Sequence, residues 1–331
     1  MITEPTKKQV QEVKDRELKR LSQINSQNFQ DIYEARNYTN SKVEYILAGS
    51  TLWYKKIEKK LTDTYKNLFN RTRDELVNSY NLSNKETMYL SESALGSTIK
   101  WNKQRVYKQL PRTQEFNVTN RILNEKAISV RSKKMAKEIT TLIEQSNKKG
   151  YSVEKTTKLL DIKFGYRNKD GKINRKALKL LKAGRISHTN GHFYTTYRIA
   201  RTESMRMSSI SNNLLADELR LKGYDNRLKM LSKIDSRTRE QSIEMNGDIS
   251  TPNFTFKYPN GQFYKHGLAP AKYSINDRET THTVFANNDK ENSRLYTDFN
   301  DFNSSIENRN VFIDKVWYIC NNSVVKIQQY L

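Results

Sequence analysis

Apolar positions recur every three or four residues through most of the first 220 residues, and closer to every second residue after that. Leu18, Leu21, Phe29, Ile32 and Tyr33 form an approximate stripe on a helix expected from about Lys7 to Asn37, after Pro5. Ile57, Leu61, Tyr65, Leu68, Leu76 and Tyr80 form a second stripe on one helical face. The two helices are expected to make a hairpin that packs on itself or on a partner. Residues 81–120 are less regular, and the stretch around Asn117, Thr119 and Asn120 reads as a connection. A third helix is expected from Arg121 to Gln145, with Ile122, Ile128, Met135, Ile139 and Leu142 inward and Lys148-Lys149-Gly150 at its end. Ser152 suits the N-cap of a short helix carrying Leu159 and Leu160. A turn at Asn168 to Gly171 leads into a basic helical segment, Asn174 to Ser187. A long helix from about Phe193 to Lys222 then meets Gly223 in the usual stop position.

Beyond Gly223 short alternations lie between turn residues. Leu228, Met230 and Ile234 suggest one strand. Phe254, Phe256 and Tyr258, then Pro259-Asn260-Gly261 and Phe263, suggest a hairpin. Thr281, Thr283 and Phe285 suggest another strand, and Val316 to Cys320 with Val324 to Ile327 a last pair. The expected fold class is α+β, predominantly α-helical: long N-terminal helices followed by a small mixed α/β C-terminal region with antiparallel hairpins. The expected segments are an N-terminal helical hairpin region (1–120), a basic helical region (121–223), a small α+β region (224–288) and a tail with a β-hairpin (289–331).

Charge changes this picture most. The chain carries 59 Lys+Arg against 36 Asp+Glu, a net charge of +23. Residues 1–222 hold a net +22 and residues 223–331 only +1, and residues 101–200 alone hold 24 cations against 7 anions. Clustered Lys and Arg on helices are the footprint of phosphate binding. The candidate nucleic-acid contacts are Lys133, Lys134, Lys137, Lys148, Lys149, Arg175, Lys176, Lys179, Lys182 and Arg185. Trp101, Tyr107, Phe164, Tyr166, Phe193, Tyr194 and Tyr197 are interleaved with them, as core residues or as stacking platforms for bases.

Other chemistry is sparse. Cys320 is the only cysteine, so an intramolecular disulfide and a thiolate metal cluster are both impossible. The N-terminus lacks a signal-peptide pattern and no stretch has the apolar length of a membrane span, so the chain is expected to be soluble and to start in the cytosol. Phosphate-loop, dinucleotide and zinc-protease motifs are absent. Asn168, Asp170 and Gly171 match part of a calcium loop, but Tyr166 and Ala177 occupy its end positions. His188 and His192 stand four apart, yet Gly191 lies between them and no third ligand is near, so they read as a surface turn.

Two segments stand out: Ile199-Ala200-Arg201-Thr202-Glu203-Ser204, and Leu231 to Glu240 running on to Gly247. Arg201, Glu203, Asp235, Arg237 and Arg239 make an ion-pair motif, in which Arg237 and Arg239 can pair with Glu203, Glu240 or Asp235. The bland expectation is a structural network joining the long helix to the small sheet.

These segments, with Phe254 to Phe256, Gly261, Leu268-Ala269-Pro270 and Ile275-Asn276-Asp277-Arg278, resemble the phage Mu F-like family of minor head, or head morphogenesis, proteins. The resemblance covers about residues 120–285. It implies a non-enzymatic protein of a tailed phage, made in the host cytoplasm and incorporated into the procapsid. It would lie inside the head near the portal protein, touching other head or scaffolding proteins and packaged double-stranded DNA, and would assist head assembly or genome delivery. No cofactor is implied. Family members carry a His after the Arg-Thr-Arg segment and a Cys-Arg-Cys near the domain end. Here Ser242, Asp277 and Glu279 take those places, which disfavours a soft metal. Asp235, Asp277 and Glu279 could instead hold a hard cation such as Mg²⁺, and the alternative reading is a metal-dependent nuclease.

Overall fold

The computed structural model describes residues 4–173, 175–183, 191–232, 239–274 and 279–285. The fold is α+β and predominantly helical. Its elements are α1 (Lys7–Asn40), α2 (Val43–Leu47), α3 (Thr51–Leu95), α4 (Lys103–Gln109), a 3-10 turn (Leu110–Arg112), α5 (Gln114–Leu123), α6 (Glu125–Lys148), α7 (Val153–Phe164), α8 (Arg175–Lys182), α9 (Gly191–Leu221), β1 (Asn226–Ser232), α10 (Glu240–Glu244), β2 (Thr255–Lys257), β3 (Phe263–Lys265), α11 (Ala271–Ser274) and β4 (Glu279–Phe285). The expected strands over 316–327 lie outside the described residues. The chain divides into two compact units, each assembled from separate stretches: 14–79 with 116–204, and 1–13 with 80–115 and 205–331. The segments expected from sequence run consecutively. The units do not, because α1, α3 and α9 each contribute to both.

In the unit formed by 14–79 and 116–204, α1 and the first part of α3 are antiparallel. Arg20 pairs with Glu75, and Arg71 pairs with Asp31 and donates to Asn28. Leu21, Phe29, Ile32, Ile57, Leu61, Tyr65, Leu68 and Leu76 are all buried, as their spacing requires. Leu18, on the same stripe, is 40% exposed. The expected third helix is two helices. Asn124 breaks it, and its side chain caps α6 by accepting from the Ala127 N–H at 2.8 Å. The break rotates the pattern, so Leu123 and Ile143 are buried where Ile122 and Leu142 are only half-buried. Ser152 caps α7 as expected. Gly191 opens α9 at φ +79° against Gly165, and a Cβ there would come within 2.4 Å of the Gly165 nitrogen.

In the other unit α3 continues to Leu95, through residues whose pattern suggests no regular helix. The reason is that its inner face is polar. Ser83 bonds Ser208 at 2.8 Å, Asn84 accepts from Ser211 at 2.8 Å, and Thr87 donates to Asn212 at 2.6 Å, all buried. These pairs keep a near-constant offset, so α3 and α9 run parallel here. The Asn212 amide also donates to the Thr281 carbonyl at 2.8 Å and to its hydroxyl at 3.0 Å, tying β4 to both helices.

β1 and β4 are antiparallel, from Asn226 opposite Phe285 to Ser232 opposite Glu279. On its other edge β1 bonds residues 247–250. β2 and β3 form a short hairpin about Pro259-Asn260-Gly261. Leu228, Met230, Met245, Phe254, Phe256, Tyr258, Ala269 and Tyr273 make one core with Ala216 of α9. Phe254 is buried at φ +58°, a costly backbone for a non-glycine residue, beneath the Arg220 guanidinium 4.0 Å from its ring. Glu4 bridges the two strands at their middle pair, Lys229 and His282. Its carboxylate accepts from Lys229 of β1 at 2.7 Å and lies 3.4 Å from His282 of β4.

Replacing Asn212 by Ala leaves the Thr87 hydroxyl and the Thr281 carbonyl to find new partners. Denaturant unfolding should show a loss of about 2–4 kcal/mol, against about 1 kcal/mol for Ser83→Ala. Burial would raise the Glu4 carboxyl, but the hydrogen bonds from His282 and Lys229 prevail and bring it to about 2. A carboxyl depressed in the folded state stabilises above its unfolded value near 4.5 and loses that contribution as pH falls toward 2. The melting temperature of Glu4→Gln should therefore vary less than that of wild type across that window.

Candidate nucleic-acid interface

The compact units also divide the charge unequally, though less sharply than the linear chain does. The unit formed by 14–79 and 116–204 carries 34 Lys+Arg against 16 Asp+Glu, and the other carries 25 against 20. In the first unit a few carboxylates are engaged by arginines. Asp161 is buried and takes Arg36 at 2.7 Å and Arg167 at 3.1 Å. Glu203 is buried, accepts from the Thr119 hydroxyl at 2.6 Å, and its charge favours the charged form of half-buried Arg131 against the cost of desolvation. These carboxylates sit inside the packing, and the lysines of α6 stay at the surface.

Helix α6 shows how sequence produces that surface. Ile128, Ser132, Met135, Ala136, Ile139, Thr140, Ile143 and Ser146 face inward. At about 100° per residue, Lys126, Lys133, Lys134, Lys137 and Lys148 fall within an arc of about 100° on the opposite side. All five are exposed, as is Lys149 at the C-cap. Glu144 interrupts the stripe, and Val130 lies in it 62% exposed. Lys155 of α7 stands 3.5 Å from the Tyr151 ring centroid, with Lys149 at 5.9 Å. On α8, Arg175 and Lys179 are exposed while Leu178 is buried. Lys182 is also exposed there. The side chain of Lys176 and all of Arg185 lie outside the described residues.

Most of the interleaved aromatics belong to the packing. Phe164 and Phe193 are buried, and Phe193 stacks on Phe29. Tyr166 carries the Arg36 guanidinium 4.0 Å from its ring centroid, and Trp101 donates to Glu92. Tyr107 is 41% exposed. Tyr194 lies beneath Arg198, and the Tyr197 hydroxyl accepts from Arg201 at 3.4 Å.

The ion-pair motif is described in part. Arg239 donates to the carbonyls of Lys272 and Tyr273 at 2.8 and 2.7 Å, so it fastens α11 by backbone contacts. Asp235, Arg237 and Asp277 lie outside the described residues. Ser242 is buried in α10 and Glu279 is buried in β4. Among the described residues no group of three or more His, Cys, Asp or Glu is arranged to hold a metal. Asn168 to Gly171 closes on itself, with Gly171 at φ +81° and Asp170 accepting from the Lys172 N–H.

His192 overturns the surface-turn expectation, while His188 lies outside the described residues. His192 is buried on α9. Its Nδ1 accepts from the Tyr65 hydroxyl at 2.5 Å, and its Nε2 donates to Glu138 at 3.4 Å. Glu138 also pairs with Lys163 at 2.6 Å, and the bonds from His192 and Lys163 bring its carboxyl to about 2. Burial holds His192 below its ordinary value and pushes the Tyr65 phenol well up. The sequence signal was present: His192 is four residues before Thr196 and eight before Ala200, both buried on the same face.

A histidine kept neutral in the fold but free to protonate near 6.5 when unfolded makes stability fall as pH drops below that value. His192→Gln should remove that part of the decline in thermal melts. Tyr65→Phe leaves Nδ1 without its donor and should cost about 1–3 kcal/mol in denaturant unfolding. Comparison with protein-family models, with curated proteins and with solved structures gives no match to this chain.

Proposed function

We propose that this chain is a minor head protein of a tailed phage, a non-enzymatic component incorporated into the procapsid near the portal. In this reading the unit formed by 14–79 and 116–204 contacts packaged double-stranded DNA. The observation that carries the DNA contact is the sorting of charge in that unit. Its half-buried arginines hold carboxylates, while the lysines of α6 stand exposed on the face opposite the core, and Arg175, Lys179 and Lys182 of α8 are exposed as well. Lysines arranged this way neutralise phosphates without reading sequence, which suits a protein that must accept any packaged genome. The head-protein half of the reading rests on the Mu F-like motif residues. Of these residues Phe254, Phe256 and Ala269 share one core in the other unit.

Binding of the full chain to duplex DNA over a salt series tests the DNA contact. Wild type should show a steep linear fall of log affinity with log salt. Lys133→Gln/Lys134→Gln/Lys137→Gln should reduce the slope by about 2–3, close to one for each phosphate that is no longer neutralised. Three equivalent neutralisations after Gly223 should leave it nearly unchanged. Absence of binding at low salt overturns the DNA contact, and Mg²⁺-dependent cleavage abolished by Asp235→Ala overturns the non-enzymatic reading. Co-purification with the portal protein tests placement in the head.

A further inference from the structure

The corner where α2 passes into α3 exposes an aromatic and aliphatic patch among lysines. Tyr45 and Leu52 are 53% and 57% exposed. Ala48 and Gly49 between them are exposed, and Leu47, Trp53 and Tyr54 are half-buried. The Tyr45 and Trp53 rings lie 5.8 Å apart, tilted by 32°. The ammonium groups of Lys42 and Lys56 each stand 4.7 Å from the Trp53 ring centroid, and Lys42 also lies 5.6 Å from Tyr45. Lys55, Lys59 and Lys60 are exposed on the same stretch, against Glu44 and Glu58. The first turn of α3 carries no acidic residue, so its N–H groups add partial positive charge. Tyr54 lies near Asn147, which brings the last turn of α6, with Lys148 and Lys149, beside the patch.

One exposed leucine or tyrosine needs no explanation, but a cluster ringed by cations does. Duplex DNA presents phosphates outward and hides its bases, so the lysines alone would serve and Tyr45 and Leu52 would gain nothing. An unpaired strand could stack on Trp53. A base there would compete with two ammonium groups already at the ring, and Leu52 and Ala48 offer no stacking face. An anionic bilayer uses every part. Lysine stems run past the rings to the phosphates, Trp and Tyr sit at headgroup level, and Leu enters the acyl boundary. We propose that the α2–α3 corner is a peripheral anchor for an anionic phospholipid surface. It would lie on the surface rather than cross it, since among the described residues no helix is long and apolar enough to span a membrane.

The full chain is to be floated with vesicles of phosphatidylcholine, with and without phosphatidylglycerol. A net charge of +23 will cause some adhesion anywhere on the molecule, so the decisive variant keeps the charge. Tyr45→Ser/Leu52→Ser should weaken binding to the anionic vesicles by about tenfold or more. Lys133→Gln/Lys134→Gln/Lys137→Gln should weaken it less than the corresponding changes at Lys42, Lys55 and Lys56, each about fivefold. In a chain with Trp101→Phe and Trp317→Phe, brominated lipid should quench Trp53 emission. Both substituted positions are exposed, and circular dichroism is to check that the variant is folded. Wild-type vesicle binding by the double variant, or unquenched Trp53, overturns the proposal. Loss of oligothymidylate binding with vesicle binding intact assigns the corner to an unpaired strand and overturns it equally.

Discussion

A helical unit with twice as many cations as anions folds only if its cations are sorted. Desolvating a charge is costly unless it is paired, so the arginines that enter the packing must find carboxylates there. Asp161 answers this for Arg36 and Arg167, Glu203 for Arg131, and Asp31 for Arg71. Arg suits these places because its planar guanidinium donates in several directions and is weakly hydrated. Lysine, a strongly hydrated point charge, is left to the surface, as on α6. The basic surface follows from how the interior was neutralised.

The second unit solves a different problem. Where α3 and α9 run side by side, their shared face carries Ser83, Asn84, Thr87, Ser208, Ser211 and Asn212 instead of leucines. Small polar side chains let two backbones approach, but only if each group finds a partner. Asn212 is the junction of this network, and through Thr281 it carries the constraint from helix to strand. β1, held between β4 and residues 247–250, then presents Leu228 and Met230 to the small core that contains Phe254 and Phe256.

These two solutions divide the proposed tasks. The less cationic unit carries most of the residues on which the proposed head-protein reading rests, and the more cationic unit carries the proposed phosphate contacts. The corner at Tyr45, Leu52 and Trp53 adds apolar groups that a phosphate contact alone does not use. Charge supplies attraction to any polyanion, while exposed apolar groups distinguish among such surfaces.

Periodicity by itself located most of the buried faces of α1, the first part of α3 and α6, because an amphipathic helix writes its core contact at every third or fourth residue. It also located β1, β4 and the β2–β3 turn, and composition placed the charge before Gly223. It did not show the second half of α3, whose inner face is polar and becomes legible only beside Ser208, Ser211 and Asn212. Nor did it show the end of α5, since Asn124 is one of many asparagines until the Ala127 N–H is placed within reach. His192 looked like half of a surface pair because Tyr65 and Glu138, which bury and bond it, are 127 and 54 residues away. The cationic surface has the same origin. Sequence counts the lysines, but only tertiary packing decides which carboxylates turn inward to the arginines and which cations remain outside.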